Sequence, residues 1–280
     1  MLKVIYLFLI TCSLAFFSLQ SFAEQSGFPE TLQDDTRKVR TATSPKWLAA
    51  VGRFVSTTSA SKQEQCTLSI VVDTPGKNGI IAVTAGHCVD HWYQSDGQYK
   101  VGDNQVTFTT NSGKKINRFV THVLAAEMNP GDYAIVKLNA AIKNSEIEPL
   151  LNGPYDYFDL LDEEFFETMK PYASMAGYSA DKTLGNKGAV LTYDEHCRLN
   201  GGARGLKKGY CYSYPGASGG PVVVTVAIGE DFADEPWQIG VQSYFVGSIL
   251  GGRGGDDSSK TMFTDATHYT RIFDKILLEH

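Results

Sequence analysis

The sequence carries no basic excess. Its 25 lysines and arginines are outnumbered by 31 aspartates and glutamates, for a formal net charge of −6 at pH 7. A chain whose main partner is a polyanion needs the opposite balance, because phosphate contacts draw on Lys and Arg; nucleic-acid binding is therefore not expected. Cysteine is scarce as well, at five in 280 residues, too few for a small scaffold held by disulfides alone. Charged residues reach only 20% and hydrophobic ones 42%, which excludes a disordered or coiled-coil chain and leaves a globular one. After the N-terminal segment no apolar run is long enough to span a membrane. What the chain has in plenty is glycine, 27 residues, with 14 tyrosines and 15 phenylalanines. Glycine-rich turns and many aromatics suit β-structure better than helix.

The beginning of the chain reads as an address. Lys3 precedes an apolar run from Val4 to Phe17, and the small residues Ser21 and Ala23 stand at −3 and −1 of a cleavage point after Ala23. This pattern predicts a secretory signal peptide over 1–23, since the run is shorter than the roughly 20 residues of a membrane anchor. A secreted or periplasmic destination follows, with no membrane association after signal removal. Cys12 lies inside the apolar run behind Thr11, which does not suit a lipid-bearing cysteine. Cys66, Cys88, Cys197 and Cys211 remain, and four cysteines in an exported chain predict two disulfides. Three pairings are possible; proximity along the chain favours Cys66 with Cys88 and Cys197 with Cys211. Each closed loop then stabilises the fold by roughly 3 kcal/mol through loop-closure entropy. A zinc site drawing on His87, His91 and His196 is the competing reading. No close cysteine pair stands at zinc-ribbon spacing, so no metal is expected.

Residues 24–45 are polar, with Asp34-Asp35 and then Arg37-Lys38-Val39-Arg40, and read as an extended arm or a propeptide. Strand-like segments follow at 48–56, 66–73, 79–85, 106–110, 118–125 and 133–138, then at 172–178, 188–194, 208–213, 221–227, 237–246 and 262–266. Six and six predict two similar β units, barrels or sandwiches. Between them lies an acidic, aromatic stretch with Asp162-Glu163-Glu164 ahead of a short helix, and its aromatics at 155–166 suit packing between the units. The spacing of Ile272, Phe273, Ile276 and Leu277 predicts a C-terminal helix docked on the second unit. Residues 251–260, rich in Gly, Asp and Ser, hold no core and predict a mobile loop in which Asp256 and Asp257 are solvated.

Three short motifs carry chemistry. Thr84-Ala85-Gly86-His87-Cys88 closes an apolar strand. Gly131-Asp132-Tyr133-Ala134-Ile135 opens another. Gly216-Ala217-Ser218-Gly219-Gly220-Pro221 places a serine in a glycine-rich turn before a valine run. Taken singly, each motif is ordinary: a packed histidine, a turn aspartate, a loop serine. Together, in the order His, Asp, Ser, with a cysteine pair beside the first and last, they predict nucleophilic catalysis. A serine hydroxyl is a weak nucleophile at neutral pH and needs a base within hydrogen-bond reach.

On these motifs, the Asp-Asp-x-Arg arm and the Gly240-Val241-Gln242-Ser243 segment, the chain resembles the trypsin/chymotrypsin-like serine proteases over roughly 34–275. Within them it is similar to the bacterial secreted branch that includes glutamyl endopeptidases. The resemblance implies an all-β fold of two six-stranded antiparallel Greek-key β-barrels with the active site in the cleft and a C-terminal helix. The first barrel would cover 46–140 with His87 and Asp132, the connection 141–170, and the second barrel 171–280 with Ser218. It implies a catalytic triad of His87, Asp132 and Ser218, an oxyanion hole of the Gly216 and Ser218 N–H groups, and Ser243 in support of the buried Asp. The expected substrate pocket is Tyr212, Ser213, Gln242, Tyr244 and Phe245, neutral or restricted, because Tyr212 and Gln242 stand where Arg/Lys-specific and Glu-specific relatives carry Asp and His. The expected partners are polypeptide substrates, the expected state is a monomer, and no cofactor is required. Ala217 replaces the aspartate that receives a new N-terminus in trypsin-like zymogens, so a different activation is expected, with 24–38 removed by a cut at Arg37-Lys38. The rival readings are a protease-like binding protein without activity and an α/β hydrolase, whose triad order would instead run Ser, acid, His.

Overall fold

The computed structural model describes residues 34–58, 62–153, 172–195, 197–200, 205–228, 240–251 and 261–280. The helix expected after Asp162, the aromatics at 155–166, His196, and the 252–260 part of the glycine-rich loop lie outside the described residues.

The first β unit is built from β2 (Val51–Thr57), β3 (Gln63–Val72), β4 (Gly79–Thr84), β5 (Asn104–Thr109), β6 (Lys115–Arg118), β7 (Val120–Glu127) and β8 (Tyr133–Ile142). They pair antiparallel in the order β6–β5–β2–β3–β4–β8–β7. Asn104 closes the gap between β5 and β7: its side chain accepts the Val120 N–H at 2.7 Å and donates to the Val120 carbonyl at 3.1 Å. Their Val, Ile, Leu and Phe side chains fill the interior of the unit; Leu68, Ile70, Val83, Val106, Phe108 and Ile135 are wholly buried.

The second unit comprises β10 (Tyr172–Gly177), β11 (Thr192–Glu195), β12 (Leu199–Asn200), β13 (Leu206–Gly209), β14 (Pro221–Ile228), β15 (Gly240–Gly251) and β16 (Thr261–Asp265). Its order is β11–β10–β14–β15–β16–β13–β12, again antiparallel. Segment 188–190, expected as strand, is a turn with Gly188 at φ +79°, and β11 starts only at Thr192. The two units are the two β-barrels that the family resemblance implies, with seven strands named in each where six are expected, the additional ones being short. A short strand, β9 (Leu150–Asn152), runs parallel to β3 of the first barrel and to β15 of the second, so the sheets are continuous where the barrels dock.

The disulfides pair Cys66 with Cys88 and Cys197 with Cys211, one in each barrel. Helix α1 (Thr270–Glu279) buries Phe273, Ile276 and Leu277, at helical spacing, while Ile272 faces solvent. The helix docks on the second unit, as expected, and reaches the first as well. Phe273 meets Phe245 of β15 edge-on at 6.0 Å and also packs on Tyr269, which stacks on Tyr133 of β8 at 4.1 Å. Asn152 of β9 donates to Asp274 at 2.9 Å. The helix therefore covers the junction of both barrels.

The described part of the N-terminal arm is a fixed piece of the second barrel. Its strand β1 (Lys38–Val39) pairs antiparallel with β11. Arg37 has a side chain only 1% exposed. The Arg37-Lys38 bond, where a cut is expected from sequence, joins this buried arginine to an exposed lysine at the start of β1.

Candidate active site

Each motif residue stands at the end of a strand. His87 follows β4 in a single 3-10 turn, Asp132 precedes β8, and β4 and β8 are neighbours, with Thr84 opposite Ala134. That pairing carries Asp132 to His87. The Asp132 carboxylate grips the histidine twice: Oδ2 lies 2.6 Å from the imidazole Nδ1, and Oδ1 accepts the His87 backbone N–H at 2.8 Å. Gly86 permits this approach, since a Cβ there would sit 2.9 Å from Asp132 Oδ1. Burial alone would push the imidazole's pKa down. The hydrogen bond and charge of Asp132, with Glu64 and Asp90 behind it, outweigh burial and hold the pKa above the ordinary histidine value.

Thr264 of β16 braces Asp132 from below. Its hydroxyl accepts the Asp132 N–H at 3.2 Å and donates to the Asp132 carbonyl at 3.1 Å. Ser248 pairs with Thr264 across β15 and β16 and is wholly buried.

Ser218 lies in the turn leading into β14 and is 8% exposed. Thr67 of β3 fixes this turn from the opposite barrel. Its N–H donates to the Ser218 carbonyl and its hydroxyl to the Gly216 carbonyl, both at 2.8 Å. The Ser218 carbonyl also lies 3.9 Å from Cys88 Sγ, so the serine turn sits against the residue that follows His87. Gly216, at φ +94°, takes a backbone conformation that side chains disfavour, and a Cβ there would meet the Tyr178 carbonyl at 2.6 Å. Within the turn, Ala217 N–H donates to Tyr214, Gly219 N–H to Ile249 and Gly220 N–H to Ala217. The N–H groups of Gly216 and Ser218 take no partner among the described residues, and neither does the Ser218 hydroxyl. Ser218 and His87 share no side-chain hydrogen bond in this structure.

The other expected site residues scatter. Ser243 bonds Thr225 at 3.1 Å, near the start of β15. Strand β15 runs on to Gly251, so the residue that reaches Thr264 is Ser248, five positions later. Gln242 and Ser243 line a cavity of about 700 Å³ together with Lys38, Trp47, Tyr172 and Tyr193. Tyr244 is half-buried against the second barrel's core, and Phe245 is wholly buried against Phe273. Tyr212 turns to the arm, its hydroxyl donating to Asp34 at 2.8 Å, which holds the phenol pKa up at about 12. Only Ser213 remains beside the serine turn, buried, with its hydroxyl 2.9 Å from that of Thr261; Thr261 in turn donates to the Cys211 carbonyl at 2.6 Å. Thr67, Ser248, Thr261 and Thr264 had no sequence signal beyond being hydroxyl residues at strand positions.

His91 packs edge-on against Trp92 with Glu64 3.5 Å away, and His268 lies 3.1 Å from Glu127. The one Cys/His cluster among the described residues is Cys66, His87 and Cys88, and its two sulfurs are joined to each other, leaving no thiolate for a metal.

Comparison with known proteins follows the same lines. The fold is shared with a thermostable serine protease, AL20, from an extremophilic microorganism, with a TM-score of 0.55, 15% identity, and coverage of 84% of this chain and 100% of that one. It is shared with HL collagenase at a TM-score of 0.54 and 14% identity, covering 87% and 97% of the two chains. A third structure, GrC, gives a TM-score of 0.54 at 13% identity, with 85% and 97% covered. No curated protein sequence matches. The trypsin family profile matches residues 41–272, which takes in His87, Asp132 and Ser218, and the chain belongs to that family.

Proposed function

We propose that the protein is an exported serine endopeptidase that hydrolyses polypeptides through His87, Asp132 and Ser218. The observation that carries this reading is the double grip of Asp132 on His87, at 2.6 and 2.8 Å, next to a serine turn held against Cys88. Asp132 keeps a proton on Nδ1 and leaves Nε2 free to act as base. His87 takes the proton of Ser218 as its oxygen attacks the scissile carbonyl. The tetrahedral oxyanion is received by the uncommitted N–H groups of Gly216 and Ser218, each such donor being worth about 3 kcal/mol in comparable sites. His87 then returns the proton to the leaving amine, and water repeats the sequence on the acyl-enzyme. Placing His87 and Asp132 on one barrel and Ser218 on the other makes Thr67, which spans them, part of the alignment.

The hydroxyl pair Ser213 and Thr261 supports a neutral side-chain pocket rather than one reading charge. Two disulfides accord with export to the periplasm or the medium. The test is labelling with a fluorophosphonate probe followed by peptide mapping. A single adduct on Ser218, abolished in His87→Ala, supports the reading; intact protein that takes up no probe points to a protease-like fold that only binds.

A further inference from the structure

Beneath the serine turn lies a buried charge cluster that the chemistry above does not use. The Arg37 guanidinium meets Asp35 through Nη2 at 2.7 Å and through Nε at 3.0 and 3.1 Å. It meets Asp181 at 2.8 Å and donates to the Thr192 hydroxyl at 3.2 Å. Its carbon stands 4.3 Å from the centre of the Tyr214 ring. Arg37, Asp35 and Asp181 have side chains no more than 1% exposed, and Tyr214 is fully buried. One plane thus forms ion pairs at its edge and stacks on an aromatic ring with its face, which a guanidinium does and an ammonium does not.

Both partners lead to Ser218. Tyr214 opens the turn, and its carbonyl accepts the Ala217 N–H at 3.0 Å. Asp181 belongs to the loop that runs alongside: Ala180 N–H donates to the Pro215 carbonyl at 2.7 Å, and Tyr214 N–H donates to the Ser179 hydroxyl at 3.3 Å. The arm is stitched down further by Thr36 to Asp194, at 2.7 Å, and by Tyr212 to Asp34. Without the guanidinium, Asp35 and Asp181 would lose the cation that joins them in a dry site, and the Asp181 loop and the Tyr214 ring would both lose a contact to the arm.

We propose that Arg37 is a positioning residue for the 214–218 turn. It is a cation carried within the chain that holds the Gly216 and Ser218 N–H groups ready for an oxyanion, so that the protein works with its arm attached. The inference rests on the peptidase reading above. It also gives the sequence's Ala217 a reason: with the cation supplied by Arg37 to Asp35 and Asp181, no aspartate beside the nucleophile has to receive a freed N-terminus.

The experiment uses the full chain, exported through its own leader, as wild type, Ser218→Ala, Arg37→Ala and Arg37→Lys. Intact mass is recorded for the wild-type species that carries a fluorophosphonate adduct, and kcat and KM are measured separately on a peptide that the wild type cleaves. The expected result is an adduct-bearing chain that retains Arg37, and a kcat for Arg37→Ala lower by about a hundredfold with KM changed by less than about threefold, because the loss falls on oxyanion donors rather than on substrate contacts. Guanidinium ion at millimolar concentration is expected to restore part of the Arg37→Ala rate, and Arg37→Lys, which keeps charge but not the stacked plane, to fall at least about tenfold. A labelled wild-type chain that begins at or beyond Lys38 overturns the proposal even if the alanine variant does not fold. So does a folded Arg37→Ala or Arg37→Lys with wild-type kcat. A wild type without Ser218-dependent cleavage fails at the peptidase reading itself and takes the proposal with it; cleavage that depends on Ser218 but not on Arg37 sinks the proposal alone.

Discussion

Asp132 holds His87 by two points, the imidazole Nδ1 at 2.6 Å and the backbone N–H at 2.8 Å. One oxygen fixes the ring and the other fixes the turn that carries it. Asp132→Asn keeps the shape but offers an amide in place of an acceptor pair, and favours the wrong tautomer. In the template Ser–His–Asp system that change costs about 10⁴ in turnover, and a loss of similar order is expected in kcat here, measured with KM on a cleaved peptide. A loss below about tenfold would separate Asp132 from the chemistry.

The pH dependence follows from the same contact. His87 must be neutral to act as base, and Asp132, Glu64 and Asp90 outweigh burial to hold its pKa above the ordinary value near 6.5. Activity is therefore expected to rise along an acid limb centred above pH 6.5, read from kcat/KM of the wild type. The sign for stability is the reverse. The folded state holds this proton more tightly than the unfolded chain, so the site adds stability below about pH 6.5 and loses it as pH rises through the folded-state value. Denaturant midpoints of wild type and His87→Ala, compared across that window, check the sign.

Thr67 ties the serine turn to the opposite barrel with its hydroxyl and its N–H. Thr67→Val removes the hydroxyl at nearly constant volume and leaves the Gly216 carbonyl and the Tyr178 N–H without that partner. A destabilisation of about 1–3 kcal/mol is expected, as for a buried polar group left unpaired, with a fall in kcat larger than the change in KM. Urea unfolding and steady-state kinetics on the same preparation separate the two effects.

Gly216 at φ +94° leaves no room for a side chain beside the Tyr178 carbonyl. Gly216→Ala is expected to cost about 1–3 kcal/mol in backbone strain and to reduce fluorophosphonate labelling of Ser218, because relief of the strain moves the N–H groups. Labelling at the wild-type rate would place the oxyanion donors elsewhere.

Phe273 joins α1 to both barrels, wholly buried against Phe245 and Tyr269. Phe273→Ala is expected to destabilise the protein by about 3–5 kcal/mol. If the helix served only the second barrel, the kinetic constants at low temperature would stay at wild-type values; loosened docking predicts a loss in kcat as well.

Much of this was legible in the sequence. The strand segments, the two cysteine pairs and the C-terminal helix follow from local patterns of valine and isoleucine, turn residues and helical spacing, and His87, Asp132 and Ser218 stand in motifs at strand ends, where side chains have no register to lose. The expected pocket was not legible, because it depends on a strand. Gln242, Ser243, Tyr244 and Phe245 are assigned by matching relatives' positions, and the sequence does not show how β15 pairs: Ser243 meets Thr225, Phe245 is buried against Phe273, and it is Ser248 that stands opposite Thr264. Arg37 was visible only as part of a basic cluster fit for cleavage. Its partners Asp181 and Tyr214 are more than a hundred residues away, and nothing local marks them as its counter-charge and platform.

The central claim is peptide-bond hydrolysis by Ser218. Its most direct test is cleavage of an unbiased peptide library, read by mass spectrometry, with wild-type protein beside Ser218→Ala. The account predicts internal cuts that vanish in the variant, with a preference for neutral side chains before the scissile bond, in keeping with the hydroxyls of Ser213 and Thr261. Identical product sets from the two proteins, or none from either, would contradict it.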